Sequence, residues 1–411
     1  MIYVCDAIMG SGKSSAAINY INEHPDDKFI YIAPLLDEAE RIRKGCPNAN
    51  LIEPMKLPQY DNKKSVHIEA LIREGRNIAS THQAFKLYSP DMLDMVRQHG
   101  YTLIVDESVN FLNTIKCSPG DVKILVDSGV LEVVEGDLFT PTGKPYAGEA
   151  FRELVDAAVQ QKLFFTMEDY DDDGKKRVGI FHWMLSPELL TSFKDVLVLT
   201  YMFPVSGMHH FMEIHDIPYE NIGIQYDGKD YRFSKTDFYV PEYTKNLVNK
   251  IHVYEGRNLN DIGEKHNAFS SNWLSNSRYH KEVQNNTYNF FTNYCKGSTS
   301  DTRMWSTFNR YKSKLRGRGY SKGFVVYNER GTNKYSHKKH LAYLANVYSM
   351  VPNKIFYSQQ GIKFRDKDYA LSVLVQWLWR SAIRNGEDVW LYLPSSRMRE
   401  ELINWMEDFR K

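Results

Sequence analysis

The chain has 411 residues, 42% of them hydrophobic and 25% charged, with a formal net charge of +1. That length accommodates two domains of ordinary size, each with its own core, and the near-neutral balance excludes nucleic-acid binding through a global positive field, so any such affinity rests on local basic patches. Four scattered cysteines, Cys5, Cys46, Cys117 and Cys295, form no Cys-x-x-Cys pair; a zinc site and a disulfide framework are both disfavoured, and a reducing cytoplasm is expected. Nothing at the N-terminus reads as a signal peptide and no stretch is long and apolar enough to span a bilayer, so a soluble protein with no membrane partner is expected.

The first element is a short strand, Ile2 to Cys5, that runs into Ala7-Ile-Met-Gly-Ser-Gly-Lys-Ser14 and then into a helical stretch, Ser15 to Asn22. Gly10, Ser11 and Gly12 stand where a backbone must curl around phosphate, Lys13 can reach β/γ oxygens, and Ser14 can ligate Mg²⁺. The strand before and the helix after supply the setting in which amides at a helix start bind anions. Ala7 occupies the first loop position, where glycine is usual.

Strands are predicted next at Lys28 to Ala33, Asn77 to Ser80, Tyr101 to Val105 and Val196 to Leu199, with helices at Leu35 to Lys44, Val66 to Glu74 and Asp91 to His99. The third of these strands delivers Asp106 and Glu107 to a strand end. There Asp106 can hold Mg²⁺ and Glu107 can polarise an attacking water. Residues of about 110–190 break the βαβ pattern with alternating Val130 to Val134 and a strand-like Arg177 to His182, which reads as an insertion with a β-hairpin. Two tempting metal motifs are disfavoured. Asp169 to Gly174 resembles half a calcium loop, but Ile180 stands where a bidentate glutamate is needed. His209, His210 and His215 lack an i, i+4 pairing among themselves and have no nearby cysteine.

Polar, aperiodic residues 217–243 read as a connector, dividing the chain into 1–216 and 244–411. Beyond it, strands are predicted at Lys250 to Tyr254, Gly323 to Tyr327, Asn353 to Tyr357 and Asp388 to Leu393. Helices are predicted at Arg278 to Tyr294, Ser336 to Tyr348, Tyr369 to Arg384 and Arg397 to Phe409. Segment Arg303 to Lys322 carries Arg303, Arg310, Lys312, Lys314, Arg316, Arg318 and Lys322 with no acidic residue, interleaved with Trp305, Phe308, Tyr311 and Tyr320. Basic groups track a phosphate backbone and aromatic rings stack on bases, so Trp305, Arg310, Arg316 and Arg318 are candidate single-strand contacts. Lys334, His337, Lys338, Lys339 and His340 are candidates for an extension of that face. Gln376, Arg380 and Arg384 are spaced four apart, which on a helix puts all three on one face able to reach a γ-phosphate across a cleft.

The order of these motifs resembles the superfamily 2 helicases of the DEAD/DEAH-like kind. Ala7 to Ser14 is similar to their motif I, Ala33-Pro34 stands at motif Ia, Ser80-Thr81-His82-Gln83 resembles motif Ib, and Asp106-Glu107-Ser108-Val109 matches the DExx box. Leu199-Thr200-Tyr201-Met202 is similar to motif III, Asn328 to Asn333 falls at motif V, and Gln376 to Arg384 resembles motif VI with an extra residue between the arginines. Compact phage-encoded helicases resemble the chain most. The resemblance implies two RecA-like parallel-sheet α/β domains in tandem with a β-containing insertion in the first. It also implies ATP and Mg²⁺ as cofactors and a helicase or translocase acting on single-stranded or branched DNA in phage replication or recombination, RNA remaining open. Thr81 and Asn333 would then grip nucleic acid, Thr200 would couple hydrolysis to movement, and Arg380 or Arg384 would be the arginine finger. A terminase-like packaging motor and a regulatory nucleic-acid-stimulated ATPase are the alternative readings.

Overall fold

The computed structural model describes the chain except residues 136–137, 147, 149–150, 153, 156–162, 171–175, 241, 330–333 and 411. Strands β1 (Ile2–Asp6), β2 (Phe29–Ala33), β3 (Ile78–Thr81) and β4 (Thr102–Asp106) alternate with helices Lys13–Glu23, Leu36–Gly45, Lys64–Arg73 and Pro90–His99. All five residues of β2 and of β4 are buried, as expected of interior strands of a parallel sheet covered on both faces. Alternation divides their side chains. Ile30 and Ile32 pack with Ile68, Leu71, Met92 and Val96 on one face, and Phe29, Tyr31 and Ala33 pack with Ala17, Ile21, Ala39 and Ile42 on the other.

The insertion follows β4 as β5 (Leu112–Cys117), β6 (Leu131–Glu135), β7 (Leu138–Pro141), β8 (Leu163–Tyr170) and β9 (Lys176–Met184). They form an antiparallel sheet in the order β5-β9-β8-β7-β6, larger than the single hairpin expected. β8 and β9 pair up to Tyr170 opposite Lys176, and residues 171–174 of the acidic stretch lie outside the described residues.

The chain then returns to the first sheet as β10 (Asp195–Thr200) and β11 (Glu220–Asn221), giving the all-parallel order β11-β1-β10-β4-β2-β3. Residues 217–243 are therefore more than a connector. β11 pairs with β1, and β12 (Gly223–Tyr226) with β13 (Tyr231–Ser234) forms a hairpin. That hairpin is clamped to the helix Lys13–Glu23: Arg232 Nε bonds Glu23 at 2.8 Å and Asn19 Nδ2 donates to the Tyr231 carbonyl at 3.0 Å.

The second α/β domain has a parallel sheet of β14 (Ile251–Val253), β15 (Arg303–Ser306), β16 (His340–Tyr343) and β17 (Val389–Tyr392), ordered β14-β17-β16-β15. Leu341, Tyr343, Val389 and Leu391 face helices Asp366–Leu378 and Ser396–Arg410, while Trp305, Ala342, Leu344 and Tyr392 face the other way. Several expectations are overturned here. Residues 336–348 hold β16 where a helix was predicted, because the continuous apolar run Leu341 to Ala345 has both faces buried and carries no period. Residues 353–357 lie in a helix, Val351–Gln359, started by Pro352 in its first turn. No strand forms at 323–327 beyond a single bridge from Phe324 to Trp305. The helix predicted to Arg384 stops at Leu378, and a separate 3₁₀ turn, Ala382–Asn385, is capped by Ser381. Among the described residues, no helix is long and apolar enough to cross a membrane.

Candidate nucleotide site in the interdomain cleft

Parallel register fixes the site. Asp6 pairs with Thr200, Leu199 with Asp106, and Ala33 with Thr81, so the carboxyl ends of β1, β10, β4, β2 and β3 share one edge of the sheet. In open parallel sheets, ligands bind beyond that edge. β10 lies between the phosphate-loop strand and the Asp-Glu strand and ties down both, the Leu199 carbonyl accepting Glu107 N–H at 2.8 Å and the Thr200 carbonyl accepting Ala7 N–H at 3.0 Å.

The loop curls as its composition requires. Gly10 and Gly12 have φ of 85° and 95°, a region that side chains rarely adopt. A Cβ at Gly12 would also stand 2.3 Å from the Tyr231 ring of the β12–β13 hairpin. Lys13 is folded back on the loop, its Nζ donating to the carbonyls of Ala7 and, at 3.0 Å, Ile8, and burial lowers its pKa. Ser11 departs from its neighbours. Its N–H is donated to the Ile8 carbonyl at 3.2 Å and its Oγ is buried without a partner, facing a different cavity that Asp6 also lines.

Gly10, Gly12, Lys13, Ser14, Asp106, Glu107 and Thr200 from the first domain line one cleft with Gln376, Arg380 and Arg384 from the second. The three second-domain residues do not share a helix face: Gln376 is on the helix Asp366–Leu378, Arg380 in the turn after it, and Arg384 in the 3₁₀ turn. The break in the helix nevertheless turns all three into the cleft. Arg380 Nη2 reaches Glu107 Oε1 at 3.3 Å, with both side chains mostly buried. Glu107 has φ of 60°, uncommon for a non-glycine residue, and its Oε2 is buried with no partner, as is Arg380 Nε. Burial pushes the Asp106 carboxyl up to about 6, with Glu107 beside it adding to the rise, while Tyr31 donates to Asp106 Oδ2 at 2.8 Å. Burial and the neighbouring Arg380 lower the Arg384 pKa.

This arrangement fits a nucleoside triphosphate with Mg²⁺. Left-handed glycines open the loop, the Lys13 amine already lies in it, and the buried Glu107 oxygen and Arg380 nitrogen lack the partners that a water and a phosphate oxygen would supply. Ser14 and Asp106, on the same cleft wall, would hold the cation.

Sequence reasoning named His82 and Tyr201 only as members of motif segments, without these contacts, and missed Arg41 and Tyr31. Arg41, paired with Glu38 at 2.9 Å, lines the cleft. Tyr31 orients Asp106, and His82 Nε2 lies 2.9 Å from the Asp106 carbonyl, tying the turn after β3 to the Asp-Glu strand. Tyr201 bridges the domains: its hydroxyl accepts Trp405 Nε1–H at 2.8 Å, and Trp405 packs edge-on against Trp379, next to Arg380. None of these carries a spacing signal for the cleft: the Arg41 partner is one helical turn away on the surface of its own helix, and the partners of Tyr31, His82 and Tyr201 are remote in sequence.

The nucleic-acid candidates divide differently. Thr81 caps the short helix His82–Phe85 through its side chain. Asn333 and most of the segment 328–333 lie outside the described residues. Trp305 sits on β15 with 0% exposure, packed against Tyr320 and Phe324, so it is a core residue and offers no face to a base. Tyr311 and Tyr320 are buried with it. Arg310, Arg316 and Arg318 are exposed, Arg310 donating to the Ser271 carbonyl at 3.0 Å.

Residues 245–406 match the family model of the YonV C-terminal Rossmann-like domain. Solved structures with a similar course include apo XPD, at 11% identity over 98% of this chain and 95% of that one with a TM-score of 0.48. Xpd4 of S. tokodaii is comparable, at 12% identity over 98% and 94% with a TM-score of 0.49. Along its whole length the chain is 32% identical to the SPbeta prophage-derived uncharacterized protein YonV of Bacillus subtilis (strain 168), covering 99% of that protein. The chain therefore belongs to the YonV family.

Proposed function

We propose that this protein is an ATP-dependent nucleic-acid helicase or translocase. The observation that carries the reading is the contact of Arg380 with Glu107 across a cleft whose opposite wall is a glycine-curled phosphate loop. Lys13 and the amides at the start of its helix would hold the β and γ phosphates, and Ser14 with Asp106 would hold the cation. The bound nucleotide would supply the phosphoanhydride bond, and Mg²⁺, when bound, would neutralise phosphate charge. Glu107 orients a water and accepts its proton. Arg380 leaves Glu107 to meet the charge that grows on the transferred phosphoryl group, so the catalytic set is complete only when the second domain is docked on the first. Gln376 and Arg384 line the same wall and position that charge. Thr200, buried between the two catalytic strand ends, and Thr81 at the same edge are the residues through which the nucleotide state reaches a bound strand.

The exposed basic groups Arg310, Lys312, Lys314, Arg316, Arg318 and Lys322 favour a polyanionic partner in the second domain. DNA is the preferred substrate in our reading, and the prophage origin of the relative from Bacillus subtilis fits a role in phage DNA metabolism. ATP hydrolysis measured with and without single-stranded DNA or RNA, together with strand displacement on tailed, forked and four-way duplexes, tests the proposal. Hydrolysis stimulated by a strand and coupled to displacement supports a helicase. Stimulated hydrolysis without displacement leaves a translocase or regulatory ATPase, and no hydrolysis in any condition removes the reading.

A further inference from the structure

The helix Gly207–Ile214 follows the β10 turn and is capped by Ser206, whose Oγ accepts the His209 N–H at 3.1 Å. On its surface His209 Nδ1 and His210 Nδ1 each lie 3.8 Å from the same oxygen, Glu213 Oε2, and the three ligand atoms lie within 4.8 Å of one another. A separation of 3.8 Å is too long for a hydrogen bond, yet it suits two ligands that share one cation at about 2.0 to 2.2 Å. Glu213 provides the i, i+4 partner for His209 that the histidines alone lack.

Unpartnered nitrogens supply a second, independent observation. His210 is only 4% exposed, and both of its ring nitrogens are buried without a hydrogen-bond partner; His209 Nδ1 is in the same condition. Buried polar atoms are rarely left so, and a cation is the partner that would satisfy nitrogens and a carboxylate converging on one point. Glu213, half exposed, gives an ion entry from solvent.

We propose that His209, His210 and Glu213 form a Zn²⁺ site, completed by water, that is separate from the Mg²⁺ position in the nucleotide cleft. Two imidazoles and one carboxylate select a borderline transition metal over Mg²⁺ or Ca²⁺, which take oxygen ligands. The His210 ring also meets Tyr357 and Phe364, which lie late in the chain yet pack into the core of the first sheet, with ring centroids at 4.9 and 5.6 Å.

The test uses the full-length, metal-stripped protein without nucleotide, titrated with Zn²⁺ against a chromophoric chelator. Wild type is expected to bind one Zn²⁺ per chain. Glu213→Gln, at a half-exposed position that leaves the fold intact, is expected to lower the affinity at least tenfold, and His209→Gln to do the same. Circular dichroism and the metal-free melting temperature check that both variants are folded. Absence of stoichiometric uptake by wild type would overturn the proposal, as would wild-type affinity in a folded Glu213→Gln, which would place the ion on other histidines.

Discussion

Two regions of this molecule use the same residue types in opposite ways. At the carboxyl edge of the first sheet, Lys13, Asp106, Glu107 and Arg380 are turned inward and largely buried, each within reach of an opposite charge or of a backbone carbonyl. Along residues 303–322, aromatic side chains turn inward and basic ones outward, so Trp305, Tyr311 and Tyr320 build a core while Arg316 and Arg318 stand in solvent. Burial strengthens an electrostatic contact and shifts proton affinities, which bond chemistry requires. Exposure leaves charges hydrated and screened, which suffices to follow a polyanion and does little for catalysis.

The contrast is broken most severely at the phosphate loop. Lys13→Ala should lower ATP turnover by about 10³-fold or more, and Glu107→Gln should keep nucleotide binding while losing turnover, as read by steady-state hydrolysis beside equilibrium binding of a fluorescent nucleotide. Wild-type turnover in Glu107→Gln would remove that residue as the base.

Trp305→Ala tests the other region. Removing an indole with no exposed surface should cost about 3 to 5 kcal/mol of stability in urea unfolding, with single-strand affinity unchanged wherever the variant is still folded. A stable variant with weakened binding would return Trp305 to the nucleic-acid surface.

Tyr201→Phe removes only the hydroxyl that accepts from Trp405. Loss of one such bond should weaken docking of the domains by about 1 kcal/mol, visible as a small fall in kcat without loss of fold. Unaltered kcat would mean that the bond is not part of domain closure.

Smallest in energy is the Arg316/Arg318 double replacement by alanine. Stability should stay as in wild type, while the slope of log affinity against log salt for single-stranded DNA flattens by about 1 to 2. An unchanged slope would leave these arginines as solvated surface.

Sequence spacing revealed most of the first domain because its signals are local. The strand, loop and helix at 2–23 and the apolar run ending at Asp106-Glu107 each declare a place at a sheet edge, and parallel register then aligns them. The second domain was less legible. Leu341 to Ala345 carries no period that separates strand from helix, and the four-residue spacing of Gln376, Arg380 and Arg384 suggested one face although the helix stops at Leu378. Their convergence on the cleft survived because the following turn, rather than helical geometry, redirects the arginines. Interleaved aromatic and basic residues at 303–322 looked like a stacking surface, yet the same alternation is what a buried strand and turns beneath a charged surface require. Arg41, Tyr201 and Glu213 were invisible in their functional settings, since each acquires its role from a neighbour that only folding, or a helical turn, brings near.

In the proposed mechanism the second domain completes the catalytic site through Arg380. Steady-state ATP hydrolysis by Arg380→Ala, measured with nucleotide affinity on the same preparation, tests it most directly. The kcat should fall by about 10³-fold while nucleotide affinity changes little, because an arginine of this kind acts on the transition state. Wild-type kcat in a folded Arg380→Ala would contradict it, leaving the 3.3 Å contact with Glu107 as a structural ion pair alone.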